Sequence, residues 1–248
     1  MTAGTAFQGR TVALTGAAGA YGRELALAFE QQGARLLLSD TVADFAPALP
    51  AGPHRYRQAD LSSAAGTDAL ADWLLAEGTP DVLVNNAGLF PFVDLLDLPL
   101  DSFDTILGVN LRAPFRLMQR IGGAMAQRGS GVICNISSGA ASVVRENGAV
   151  YGTSKAALEH LTRAFALRLG AAGVRVNAVR PGLRGDTRDG IPADHLQRVG
   201  TGVPLRRLAR AGEVAAVVTF LCSDAAAFVT GETLAVDGGN GINRRAPV

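Results

Sequence analysis

An alternation running the length of the chain restricts its fold more than any other feature: short Val/Leu/Ile-rich runs separated by stretches of helical periodicity. Strand candidates are Thr11–Thr15, Ala34–Ser39, Arg55–Ala59, Asp81–Asn85, Gly131–Ser137, Val174–Val179 and Thr233–Val236. Most lack strict in–out alternation, the mark of strands buried on both faces. Helical patterns lie between them, among them Arg23–Gln31, Ser102–Gln127, Ser154–Leu169 and Ala211–Ser223. Such alternation implies right-handed crossovers and a parallel sheet covered by helices on both sides. An α/β, doubly wound fold is therefore expected. With 248 residues, one domain over 1–248 can bury roughly three quarters of its unfolded surface. The stretch 183–204 holds Gly185, Gly190, Pro192, Gly200 and Gly202 and reads as a mobile excursion or lid.

Composition removes several partners. The net charge is +1 and no basic stretch is interleaved with aromatics, so nucleic acid is not expected. The start, MTAGTAFQGR, has no apolar core of the signal-peptide kind. The longest apolar run, near Val214–Cys222, is broken at Thr219 and is too short to span a bilayer. Cys134 and Cys222 sit among apolar residues and read as buried thiols in a reducing, cytoplasmic compartment. His54, His160 and His195 show no metal-ligand spacing, so no metal is expected.

The first strand runs into Thr15-Gly16-Ala17-Ala18-Gly19-Ala20-Tyr21-Gly22, with a helix from about Gly22. A Gly-rich turn from strand to helix lets backbone approach a pyrophosphate, and the helix N–H groups favour the anion. The spacing is not G-x-G-x-x-G, and a plain tight turn is the other reading. The second strand closes on Asp40. A carboxylate there can accept both ribose hydroxyls of an adenosine and would repel a 2′-phosphate; alternatively it caps the next turn. Neither Gly19 nor Thr41 is basic, so NAD is expected rather than NADP. The third strand ends in Asp60-Leu61 and the fourth in Asn85-Asn86-Ala87-Gly88, at the carboxyl ends where such sheets bind ligands. Asn85 reads as structural, bridging strands through its amide.

Tyr151 and Lys155, four apart at the start of an amphipathic helix, share a face. An ammonium beside a phenol stabilises the phenolate and lowers its pKa from about 10. Such a tyrosine can take a proton from an alcohol or return it to a carbonyl oxygen, while Lys155 can also hold a ribose. The fifth strand delivers Ser137 and Ser138, either of which can polarise a reacting oxygen or satisfy strand-end backbone. Asn110 lies inside a helical pattern, where asparagine is mildly unfavourable, which suggests a task other than helix building.

Together these residues resemble the short-chain dehydrogenase/reductase family over essentially the whole chain. Thr15 to Gly22 resembles its T-G-x-x-x-G-x-G turn, Asn85 to Gly88 is its N-N-A-G, and Pro181-Gly182 its post-strand P-G. The stretch from Phe228 to Gly239 resembles its usual ending. Its Asn-Ser-Tyr-Lys tetrad falls on Asn110, Ser138, Tyr151 and Lys155, with Ser138 preferred to Ser137 on the family's common spacing to the tyrosine. The resemblance implies a Rossmann-type, seven-stranded parallel sheet. It makes Tyr151 the acid/base, gives Lys155 the ribose and the tyrosine pKa, and gives Ser138 the substrate oxygen. Asn110 would hold a relay water. Cofactor contacts are implied at Gly16, Gly19, Tyr21, Gly22, Asp40, Asp60, Leu61, Asn86, Ala87, Gly88, Pro181, Gly182 and Arg184. It also implies a homotetramer built through Ser102–Gln127 and Ser154–Leu169, whose stripe of Leu158, Leu161, Phe165 and Leu169 could otherwise pack only on its own sheet. Three departures stand out: Ala20 replaces the middle glycine, Tyr21 a small aliphatic, and Asp186 (followed by Thr187) the usual threonine near the carboxamide.

The leading expectation is an NAD(H)-linked alcohol dehydrogenase or ketone reductase acting on a small-molecule alcohol or carbonyl. An NADPH-linked 3-oxoacyl reductase of fatty-acid or polyketide type is opposed by Asp40. A catalytically silent dinucleotide-binding regulator is opposed by the complete tetrad. Phe90, Pro91 and Phe92, 140–147 and 183–204 would line the substrate pocket and favour an apolar or ring-bearing substrate. Arg145 and Arg184 would either meet a carboxylate or lie at the surface.

Overall fold

The computed structural model describes residues 5–43, 45, 52–91, 93–144, 146–185 and 193–242. Its strands are β1 (Thr11–Thr15), β2 (Arg35–Asp40), β3 (Arg55–Gln58), β4 (Val82–Asn85), β5 (Gly131–Ile136), β6 (Val174–Pro181) and β7 (Thr233–Val236). They form one parallel sheet in the order β3-β2-β1-β4-β5-β6-β7, the Rossmann-type, seven-stranded arrangement that the resemblance implies. The order reverses between β1 and β4, which opens a crevice at their carboxyl ends.

The helices are α1 (Ala20–Glu30), α2 (Ala64–Ala76), α3 (Leu100–Leu107), α4 (Ala113–Arg128), α5 (Ala149–Leu169), α6 (Ala193–Gly202) and α7 (Glu213–Cys222). Two cores flank the sheet. One joins Leu36 and Leu38 of β2 to Leu25 and Phe29 of α1 and Val218 of α7. The other joins Leu37 to Leu70 of α2, Leu117 of α4 and Leu158 of α5. Consecutive leucines therefore enter opposite cores, which is why the strand runs show no polar alternation. Both cysteines are free and buried. Among the described residues no helix is long and apolar enough to cross a membrane.

Three elements add to or correct the sequence reading. The 63–76 region is helical: Ser63 Oγ caps Gly66 N–H at 3.0 Å, and Thr67, Leu70, Ala71 and Leu74 form its buried stripe. That cap and spacing are legible in the sequence. The single helix expected over Ser102–Gln127 is instead α3, a π-helical turn at Gly108–Arg112, and α4. Pro114 has no N–H to offer the Asn110 carbonyl four residues back, so regular α-helical bonding cannot continue there. Within 183–204, read from the sequence as a mobile excursion or lid, 193–202 is the helix α6. Gly200 faces Leu208 there, where a Cβ would meet the leucine at 3.4 Å.

Candidate active site

The crevice floor is built by hydrogen bonds between the ends of β1 and β4. Thr15 Oγ1 accepts from the Asn86 and Ala87 N–H groups, both at 3.1 Å. The Asn86 amide donates to the carbonyls of Thr15 at 3.0 Å and Gly16 at 2.9 Å. Gly16 has φ +68°, and a Cβ on it would lie 2.7 Å from Ala87 Cα. A Cβ on Gly22 would lie 2.0 Å from the Gly16 carbonyl oxygen. Only glycine fits either place without backbone movement. A Cβ on Gly19 would meet nothing closer than 3.5 Å, so its presence is not required sterically. The helix α1 starts at Ala20 with no side-chain cap at Gly19. Its first-turn amides therefore lie beside the crevice, a ready anion site. Replacing the family's middle glycine by Ala20 leaves that helix start intact.

Asp40 ends β2 beside the Gly-rich turn. One carboxylate oxygen accepts from Ala18 N–H at 2.8 Å and the other from Thr41 N–H at 2.7 Å. The carboxylate thus steadies the Gly-rich turn and keeps lone pairs for ribose hydroxyls. Asp60 accepts from Ser62 N–H at 2.8 Å, a bond that lowers its pKa; Leu61 beside it is buried. A glycine cradle, open helix amides and a carboxylate beyond the turn are a donor and acceptor set that fits a dinucleotide.

The chemical groups converge past Gly88. A Cβ there would stand 3.5 Å from both Lys155 Nζ and Asn110 Oδ1. Lys155 is 3 % exposed, donates to the Ile136 carbonyl at 2.8 Å, and has its pKa lowered by burial to about 8. Tyr151 lies in the first turn of α5, with the Ser138 hydroxyl on the side that favours its phenolate. Burial raises the Tyr151 pKa and the Ser138 hydroxyl pulls it part of the way back. Lys155 Nζ stands 5.8 Å from the phenol ring centre. The expected lowering of the tyrosine by Lys155 is therefore not what these groups produce on their own. The ammonium is turned to a strand-end carbonyl, and the serine is the group that favours the phenolate.

The two candidate serines are separated by their directions. Ser137 Oγ donates to Glu159 Oε1 at 2.6 Å, and Glu159 is clamped by Arg180 through bonds of 2.9 and 2.6 Å. Ser138 faces Tyr151 and accepts from Ala140 N–H at 3.2 Å. Asn110, fully buried, exchanges two hydrogen bonds with the backbone of Leu89, at 2.8 and 2.9 Å, and donates to Ser154 at 3.2 Å. Its amide clamps the chain leaving Gly88. Asn85 donates to Asn135 across β4 and β5 at 2.8 Å, the structural bridge expected of it.

Sequence reasoning did not find the Glu159–Arg180 pair. Glu159 does continue the row of Tyr151 and Lys155 at four-residue spacing, a usable signal. Arg184 is 5 % exposed and paired with Glu24 at 2.8 Å, so it is neither a surface arginine nor free to greet a carboxylate. Phe90 stands edge-on to Tyr151, ring centres 4.5 Å apart at 65°. Phe92, Arg145, Asp186 and Thr187 lie outside the described residues.

Comparison with known proteins follows this geometry. Residues 16–240 match the family model described as Enoyl-(Acyl carrier protein) reductase. The chain is 38 % identical to cis-4-hydroxycyclohexanecarboxylate dehydrogenase of Sinomonas cyclohexanicum, covering 95 % of this chain and 98 % of that one. It is 36 % identical to D-threitol dehydrogenase of Mycolicibacterium smegmatis, covering 93 % and 92 %. A solved structure from Beutenbergia cavernae, described as an NAD(P) dependent gluconate 5-dehydrogenase with NADP at low occupancy, aligns with a TM-score of 0.90 at 33 % identity, covering 96 % and 99 %.

Proposed function

Since this chain belongs to the short-chain dehydrogenase/reductase family, we propose that it transfers a hydride between NAD(H) and a ring-bearing secondary alcohol or its ketone. It is an oxidoreductase acting on CH–OH groups. The observation that carries the reading is Ser138 set against Tyr151, with Lys155 buried in the next turn of the same helix. When bound, the nicotinamide supplies the two-electron acceptor or donor. Ser138 orients the reacting oxygen, and Tyr151 takes the hydroxyl proton as the carbonyl forms, or returns it in reduction. Lys155 holds the nicotinamide ribose, and the clamp made by Asn110 keeps 88–90 in place beside it. The substrate reading rests on Phe90, whose ring shares a wall with Tyr151; flat apolar contact suits a cyclic carbon skeleton better than a polyol.

NAD is favoured because Asp40 sits where a 2′-phosphate would be repelled. We expect kcat/KM with NAD to exceed that with NADP by at least about tenfold, a difference of roughly 1.4 kcal/mol, and Asp40→Ala to narrow the gap. The measurement is initial rates with both cofactors over cyclohexanols, linear secondary alcohols and polyols. Equal use of both cofactors by the wild type would refute the Asp40 assignment.

A homotetramer is the assembly we propose. Leu158 and Leu169 of the α5 stripe are buried in their own core, but Phe115 and Leu167 are 39 % and 88 % exposed. Phe115 also lines a groove of about 650 Å³ with Leu107, Leu111 and Leu161. Burying such a face against a second copy is favourable. Light scattering at micromolar concentration should give four chains; a monomeric mass would exclude the assembly. We place the protein in the cytoplasm, on its two free buried thiols.

A further inference from the structure

Tyr21 and Arg184 connect two parts of the crevice that the sheet keeps apart. The Gly-rich turn follows β1, and Pro181-Gly182 closes β6; β4 and β5 lie between those strands. Tyr21 Oη crosses this gap and donates to the Gly182 carbonyl at 3.1 Å. The Arg184 guanidinium lies over the Tyr21 ring, 4.9 Å from its centre, and its Nη1 pairs with Glu24 at 2.8 Å. Glu24, one helical turn beyond Tyr21, also accepts from Gly212 N–H at 2.7 Å, where α7 begins. Gly182 is held from its other side: its N–H donates to Val236 at 2.9 Å, and a Cβ on it would lie 2.7 Å from Asp237 Cα.

We propose that Tyr21, Arg184 and Glu24 form a latch that fixes Pro181-Gly182 against the Gly-rich turn and so sets the nicotinamide half of the cofactor site. The inference rests on the dinucleotide reading above. The three are positioning residues: the phenol sets the distance across the gap, the guanidinium holds the ring flat, and the carboxylate orients the guanidinium. A planar guanidinium can stack on the ring and pair with a carboxylate at once, whereas an ammonium is a point charge with no flat face. The adenosine and pyrophosphate end, held by Asp40 and the glycine cradle, does not depend on the latch.

Calorimetric titration with NADH and with ADP-ribose, which lacks the nicotinamide ring, separates the two ends. Tyr21→Phe keeps the ring and loses only the bond to Gly182. It should weaken NADH by about fivefold, the scale of one lost hydrogen bond, and leave ADP-ribose within about twofold. Arg184→Lys keeps a charge opposite Glu24 but loses the flat face, and should show the same selective loss with an unchanged unfolding temperature. Equal weakening of both ligands, or unchanged NADH affinity in both variants, would overturn the latch. A wild type that binds neither ligand would instead remove the dinucleotide reading, and the latch with it.

Discussion

Tyr151→Phe should bind NADH as the wild type does and turn over at least about a hundredfold more slowly, the scale on which a general acid/base contributes. The substitution removes the transferable proton and keeps the ring, including its edge contact with Phe90. Lys155, Asp40 and the glycine cradle are untouched. Single-turnover absorbance at the reduced-nicotinamide band would be read beside NADH fluorescence titration. Near-normal turnover in the cofactor-bound variant would assign proton transfer to another group. The pH dependence carries a second sign. Alcohol oxidation needs the deprotonated phenol, so the wild-type rate rises with pH. The Ser138 hydroxyl lowers the tyrosine against the raising effect of burial, so in Ser138→Ala the rise should move to higher pH.

Lys155→Met should abolish turnover and yet stabilise the fold at pH 7, by about 2–3 kcal/mol or roughly 4–12 °C in Tm. Burial lowers the lysine from 10.5 to about 8, whereas in the unfolded chain it keeps its ordinary value. Between those values the unfolded chain holds more protons, so stability rises with pH. Below about 8 the penalty is present in full. Methionine removes it, offset by the lost hydrogen bond to Ile136. The gain should shrink as the pH approaches 10. Thermal unfolding without dinucleotide at pH 7 and pH 10 tests this; a variant less stable than wild type at pH 7 would show that the ammonium is net stabilising in its pocket. Stability given up for a charged group in a buried site is a common cost of function.

The dinucleotide end was the more legible half. Gly16, Gly22 and the acidic close of β2 act through backbone conformation and a short covalent reach, and both are properties of local sequence. The tetrad spacing belongs to the same class, because Tyr151 and Lys155 share one helix. The π-helical turn at 108–112 was less legible. Pro114 and Asn110 are visible in the sequence, but the partners that hold the Asn110 side-chain amide, the backbone of Leu89 and the hydroxyl of Ser154, lie far along the chain.

Residue order alone determined the fold class, since buried strands separated by amphipathic helices have few ways to cover both faces of a sheet. It also marked the Gly-rich turn after β1, though only the fold separates Gly16 and Gly22, where a Cβ cannot fit, from Gly19, where it can. Only the tertiary structure decided where Lys155 directs its proton, and that Arg184 is buried against Glu24 instead of lying at the surface. Those outcomes depend on side-chain directions at strand ends and on pairings such as Arg184 with Glu24, 160 residues apart. Neither has a period or a spacing to be read, because packing across the sheet, and not chain neighbourhood, selects the partner.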